Sequence, residues 1–167
     1  MVLEKEIQQL KSKIAHYELI IHELSAPIIT SLIEDAILVP ITGTISPSRL
    51  ESIRTRVLDY FAEHQDMNCA VVDFTGVETN DLSQLSCNVF ASEIGQLNAT
   101  LKWMGIRPIF VGFHPQLARQ IVQANIHVEI ETYSNLKTAL PLLVNSNEND
   151  GEQCEKSIEC NRKVTIR

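Results

Sequence analysis

Cys69-Ala70-Val71-Val72-Asp73-Phe74-Thr75-Gly76 is a short, mostly apolar run closed by a glycine, and Val77-Glu78-Thr79-Asn80-Asp81-Leu82-Ser83 follows it. A run of this length, rich in β-branched and aromatic side chains and bounded by turn residues, predicts a buried strand ending in a Gly turn. The polar stretch then enters a helix. Asp81 is its candidate N-cap, and Leu82, Leu85, Val89, Ile94 and Leu97 its candidate core face. Asp81 and Ser83 would sit where a helix N-terminus favours an anion, although from this segment alone ordinary capping is the better explanation.

The same alternation extends outward. Pro27 to Leu32 and Ala36 to Gly43 read as two strands joined by Glu34-Asp35, with Pro40 marking the second as an edge or a bulge. Ser46-Pro47 opens a helix, Ser46 as N-cap and Pro47 at N1, with Leu50, Ile53, Val57 and Phe61 facing the core. Ser48, three before Glu51, offers an alternative capping box. Arg107 to Phe113 is a further buried strand. His114-Pro115 starts a short helix through Leu117, Ala118, Ile121 and Val122. His127 to Thr132 is a short strand, and Ser134 caps a last helix from Asn135 to about Val144, with Pro141 near its end. The order is ββαβαβαβα. It predicts an α/β fold with a mostly parallel central sheet of about five strands and about four flanking helices.

Ahead of this unit, Leu3, Ile7, Leu10, Ile14, Tyr17, Ile21 and Leu24 recur with gaps of four and three. That is an unbroken heptad, with isoleucine at a and mostly leucine at d, the pattern of a parallel two-stranded coil. Glu6 would face Lys11 of a second copy, and Lys13 would face Glu18. The competing reading is an amphipathic helix packed on its own domain. Ile20 widens the stripe in that direction, but a core-facing stripe is usually broader than strict a/d. The chain thus divides into a dimerising coiled-coil helix (1–24), a globular α/β domain (25–145) and a polar tail (146–167) expected to be disordered.

With 167 residues, 44% apolar and 21% charged, the chain can bury one core. The net charge of −7 argues against nucleic acid or an anionic membrane as partner. No run reaches the length of a membrane span, and no signal-peptide core opens the chain. Cys69 and Cys87 fall in apolar surroundings, and Cys154 and Cys160 in the tail. No disulfide framework or strong metal spacing is present, which fits a cytoplasmic protein. HExxH, GxSxG, CxxC and GxxxxGK[ST] are all absent, and His16, His22, His64, His114 and His127 are scattered. His114 reads as a helix-start residue rather than a base. Trp103 and Met104 read as core or rim. No catalytic residue, metal or cofactor is expected.

Asp73 to Ser83, DFTGVETNDLS, resembles the DxSGVxxxDSSG-like signature of STAS domains, the anti-sigma factor antagonists. ELSAPII with ILVPITGTIS is similar to the opening of RsbR-type stressosome proteins. GIRPIFVGFHPQLARQIV resembles their later strand and helix, and ETYSNLKTAL the end of the domain in the blue-light-receptor paralogue. The resemblance spans residues 23–144. It implies a STAS fold and a regulatory scaffold, not an enzyme. The expected partners are a second STAS scaffold protein and a serine/threonine switch kinase, which together control a stress-response sigma factor by partner switching. Only a linker-like coil stands where sensory domains normally precede the STAS domain, so neither haem nor flavin is expected.

The resemblance breaks at the phospho-acceptors. The main one, following the Asp that aligns with Asp81, is Leu82; the second aligns with Pro47. Neither has a hydroxyl. Ser46, Ser48 and Ser83 lie beside these positions as substitute acceptors. Asp81, Leu82, Ser83 and Pro47 mark the expected switch surface. A second use of the domain is as the regulatory subunit of a transporter or lipid-transport complex.

Overall fold

Asp35, held at φ 64°, turns strand β1 (Ile29–Thr30) back antiparallel onto β2 (Ala36–Thr42), at the hairpin expected from Glu34-Asp35. Aspartate tolerates this left-handed backbone better than most residues. The chain continues through α2 (Pro47–Glu63), β3 (Cys69–Gly76), α3 (Cys87–Trp103), β4 (Arg107–Val111), α4 (Pro115–Gln123), β5 (Glu131–Tyr133) and α5 (Leu136–Ser146). Helix α1 (Val2–Leu24) precedes them all. The computed structural model describes residues 2–24, 26–30, 33–78, 80, 85–123 and 129–146.

The sheet order is β1-β2-β3-β4-β5, with β2 to β5 parallel. The crossovers between successive neighbours put α2, α3 and α4 on one face, where they share one core. Strand alternation divides the core accordingly. Ile37, Val39, Ala70, Val72, Phe74 and Phe110 pack under the helices of that face. Cys69, Val71, Ile109 and Val111 point the other way, against Ala139 and Leu143 of α5. Pro40 fits both of its sequence readings. It lies beyond Leu38, where the β1 pairing ends, and the β2–β3 register shifts between Pro40 and Thr42.

Two expectations need correction, the start and face of α3 and the cap of α5. Helix α3 begins at Cys87 with Ser86 as its cap, so Asp81 does not cap it. Its buried face is Phe90, Ala91, Ile94, Leu97, Asn98 and Leu101. Leu85 is buried just before the helix, and Val89 is exposed. Helix α4 buries Leu117 and Ile121 but turns Val122 out. At α5 the cap is Asn135, whose Oδ1 accepts from the Thr138 amide at 3.0 Å, not Ser134. The helix also runs through Pro141 to Ser146. Pro141 and Lys137, whose carbonyl loses its helical partner, are both exposed, so water can satisfy that carbonyl. Of the two readings of Trp103 and Met104, the rim is the one observed: Trp103 is 90% exposed, and Met104 is exposed beside it.

Candidate functional site

The parallel strands end together, and their turns form one rim of the domain. Gly76 at the end of β3 lies against β2: a Cβ there would meet Thr42 Cγ2 at 2.5 Å. Gly112, just past β4, has φ +78°, and a Cβ would run into the Thr75 backbone. Asp73 Oδ1 accepts from the Thr75 amide at 2.8 Å, and Val77 N–H donates to Phe74 O at 2.9 Å, so the exit of β3 is a tight turn. Phe74, Phe90 and Phe113 lock this rim from below, with Phe74–Phe113 centroids 5.0 Å apart and Phe74–Phe90 5.6 Å apart.

The start of α2 stands on the rim. Ser46 Oγ accepts from the Arg49 amide at 3.2 Å and Ser46 O from Leu50 N–H at 3.0 Å, the N-cap expected from the sequence. Pro47 is exposed at N1, where its missing N–H costs nothing. Ser48 is also exposed, its hydroxyl 3.1 Å from that of Ser46. Because Ser46 is the cap, Ser48 lies inside the first turn and its capping box with Glu51 does not form. Arg49 Nη1 donates to Thr44 O at 2.6 Å, tying the helix start to the preceding turn. Arg54 pairs with Glu93 at 2.7 Å and donates to Gln96, holding α2 against α3.

Ser46, Pro47 and Ser48 are thus brought together on one exposed turn. Asp81, Leu82 and Ser83, the other half of the expected switch surface, lie outside the described residues, as do His127 and residues 147–167 with Cys154 and Cys160. His114 behaves as a helix-start residue: its carbonyl accepts from Ala118 N–H at 3.1 Å, and its Nδ1 accepts from Gln116 N–H at 3.4 Å. Among the described residues no group of three His, Cys, Asp or Glu is placed to hold a metal ion. No described helix is long and apolar enough to cross a membrane.

The seam residues of α1 present a different surface. Leu3, Ile7, Leu10, Ile14, Tyr17, Ile21 and Leu24 are all exposed, from 45% at Ile7 to 71% at Leu3. No side chain of α1 is buried by the rest of the chain wherever burial is described. The reading of α1 as a helix packed on its own domain therefore fails. Two residues after Leu24 the chain enters the core at Ala26, which is 1% exposed. Since β1 runs antiparallel to β2, this entry lies toward the C-terminal ends of the parallel strands, the same end as the start of α2.

A polar lattice that the sequence does not announce lies on the α5 face. Arg107 grips Glu131 with two bonds, Nε to Oε2 at 3.0 Å and Nη2 to Oε1 at 2.6 Å, and Tyr133 donates to Glu131 Oε1 at 2.8 Å. The Glu131 hydrogen bond raises the Arg107 pKa. Burial, then the Glu131 bond, push Tyr133 up to about 12, and burial pushes the adjacent Cys69 up to about 11. Cys69, Arg107 and Tyr133 therefore stay protonated at neutral pH. The Arg107–Glu131 hydrogen bonds tie β4 to β5 and brace the sheet. Arg54–Glu93 and Arg107–Glu131 pair residues 39 and 24 positions apart, and only the register of the fold reveals such pairs.

No protein-family model matches the chain. Over 106 residues it is 29% identical to an uncharacterised protein of Bacillus subtilis (strain 168), YezB, a match that covers 63% of this chain and 90% of that protein. The fold is similar to that of a variant of RsbS from Moorella thermoacetica, with a TM-score of 0.55 at 20% identity over 74% of this chain and 97% of the other. It is also similar to the protein TM1081, with a TM-score of 0.53 at 14% identity over 70% and 86% of the two chains. Helices stacked on a five-stranded sheet with one antiparallel edge, the tight turn after Asp73 and the likeness to RsbS agree with the sequence signature: the chain has the fold of the STAS-domain family.

Proposed function

We propose that this protein is a non-enzymatic regulatory scaffold, a cytoplasmic STAS subunit of a stressosome-type assembly. In this reading residues 1–24 join two copies as a parallel coiled coil, and residues 25–145 are the STAS domain. The domain docks a second STAS scaffold protein and a serine/threonine switch kinase, and contributes to sigma-factor control by partner switching. The observation that carries the reading is the unbroken apolar seam of α1, exposed along its whole length and joined within two residues to the core of a STAS fold. A seam with complementary Glu6–Lys11 and Lys13–Glu18 flanks suits a second copy of itself.

The subunit is silent at both acceptor positions of the family. Pro47 occupies an exposed helix start without a hydroxyl, and Leu82 replaces the other acceptor. A phosphate at this rim would bring about −1.5 to −2 of charge and change what can dock there. Without it the rim keeps one state, and a signal reaches it by movement of the coil. The test is incubation with a STAS scaffold protein, the switch kinase and ATP, followed by mass spectrometry. Co-purification with the scaffold protein and no stoichiometric phosphate on the wild type are expected, with phosphate gained on Leu82→Thr. Stoichiometric phosphate on Ser46, Ser48 or Ser83 overturns the silent reading. Failure to associate with any STAS scaffold protein overturns the assembly.

A further inference from the structure

The second face of the sheet is unevenly covered. Helix α5 lays Ala139 and Leu143 over Cys69, Val71, Ile109 and Val111. Toward β1 this cover thins. Leu38 and Pro40 are half-buried, and Ile29, directly opposite Leu38, is 48% exposed. Pro27 shares the alternation of Ile29 and is exposed as well, whereas Ala26 and Ile28 turn into the opposite core. A solvated sheet face would carry polar side chains at such positions, and these four are apolar.

The position of the strip identifies its occupant. Ile29 lies five residues beyond Leu24, the last seam position, so the two are at most about 17 Å apart along the chain. In the parallel register favoured by Glu6–Lys11 and Lys13–Glu18, both chains leave the coil at the same end. Their helix axes are about 10 Å apart, on either side of one two-fold axis. Each copy then carries its strip within a short tether of that axis, and a two-fold interface sets a patch against the same patch. Leu19 and Ile20 add exposed apolar surface outside the strict seam in the adjoining last heptad.

We propose that Pro27, Ile29, Leu38 and Pro40 form a second self-association surface, continuous with the coil and covered by the same strip of a second copy. The geometry rests on the coiled-coil reading above. The four side chains lie on the face of the sheet and not along its β1 edge, so the contact is made by side chains.

Two measurements on the full chain separate this proposal from the coil. In a background with Cys87, Cys154 and Cys160 replaced by serine, Ile29→Cys is treated with a short-armed bis-maleimide. Glu51→Cys, exposed on α2, serves as the reference. Light scattering of Ile14→Asp reports on the coil independently. Capture of Ile29→Cys as a covalent dimer about tenfold faster than Glu51→Cys is expected, together with loss of dimer in Ile14→Asp. If Ile14→Asp dissociates and Ile29→Cys reacts no faster than Glu51→Cys, the strip is overturned and the coil stands. If Ile29→Cys is captured while Ile14→Asp stays dimeric, the strip holds the dimer and the coil reading fails. If neither result appears, both fail. Because Ile29 is half exposed, Ile29→Glu should fold normally by circular dichroism and weaken the dimer about tenfold; an unchanged dissociation constant also overturns the proposal.

Discussion

Helices α1 and α3 both carry enough apolar surface to build a core, yet they meet opposite fates. In α3 the buried positions are 90, 91, 94, 97, 98 and 101, a broad stripe that fits down onto the sheet and α2. In α1 seven apolar positions follow alternating steps of three and four, a narrow seam with Leu19 and Ile20 beside it, and all of these stay exposed. A broad stripe suits a sheet, which offers a wide surface, and a narrow one suits another helix. By this measure the α/β domain is complete within one chain, and in the proposed reading α1 is completed by a second helix.

The sharpest way to widen this contrast is to damage the domain core. Phe110 is fully buried on the interior strand β4, and Phe110→Ala should cost about 3–5 kcal/mol in denaturant unfolding. That loss should not depend on protein concentration, whereas melting of α1 should. A concentration-dependent domain transition would break the comparison by making the STAS fold itself obligately dimeric. Next in size is Gly112→Ala. The φ of +78° and the Thr75 backbone leave no room for a Cβ, so about 2–4 kcal/mol should be lost, read by the same unfolding curves. Ser46→Ala removes one cap and should cost about 1 kcal/mol, with the α1 transition unmoved.

The smallest effect is on pH. Burial holds the Cys69 thiol up to about 11 against an ordinary 9.0, and Tyr133 is held up to about 12 against 10.0. The unfolded chain gives up both protons more readily, so stability present below about pH 9 falls as pH rises through 9–11 for Cys69 and 10–12 for Tyr133. Cys69→Ala should flatten the first part of that fall and Tyr133→Phe the second, in unfolding curves recorded against pH. Helix α1 has no buried thiol or phenol, so the proposed coiled-coil dimer should not share this alkaline loss.

The order of elements was legible because each carries its own period or cap. The α2 face of Leu50, Ile53, Val57 and Phe61 and the cap at Ser46 followed from local spacing alone. The start of α3 did not. Asp81 and Ser86 are both good caps, and only the packing of Leu85, Phe90 and Phe74 selects the later one. Asn135 displaced Ser134 for a similar reason, since adjacent polar residues compete for one amide. At the site, Pro47 was readable as an exposed first helical residue. The Arg54–Glu93 clamp, the Phe74–Phe90–Phe113 cluster and the Arg107–Glu131–Tyr133 lattice were not, because each joins distant elements whose register the sequence leaves open.

Light scattering of the full chain and of Ile14→Asp across a dilution series tests the central claim most directly. The wild type should behave as a dimer. Ile14→Asp sets two carboxylates face to face in the seam and should shift the protein to monomer or weaken the dimer by about a hundredfold or more, with domain unfolding unchanged. A wild-type monomer, or a dimer that Ile14→Asp leaves intact, would contradict the account of α1 as a seam awaiting its partner.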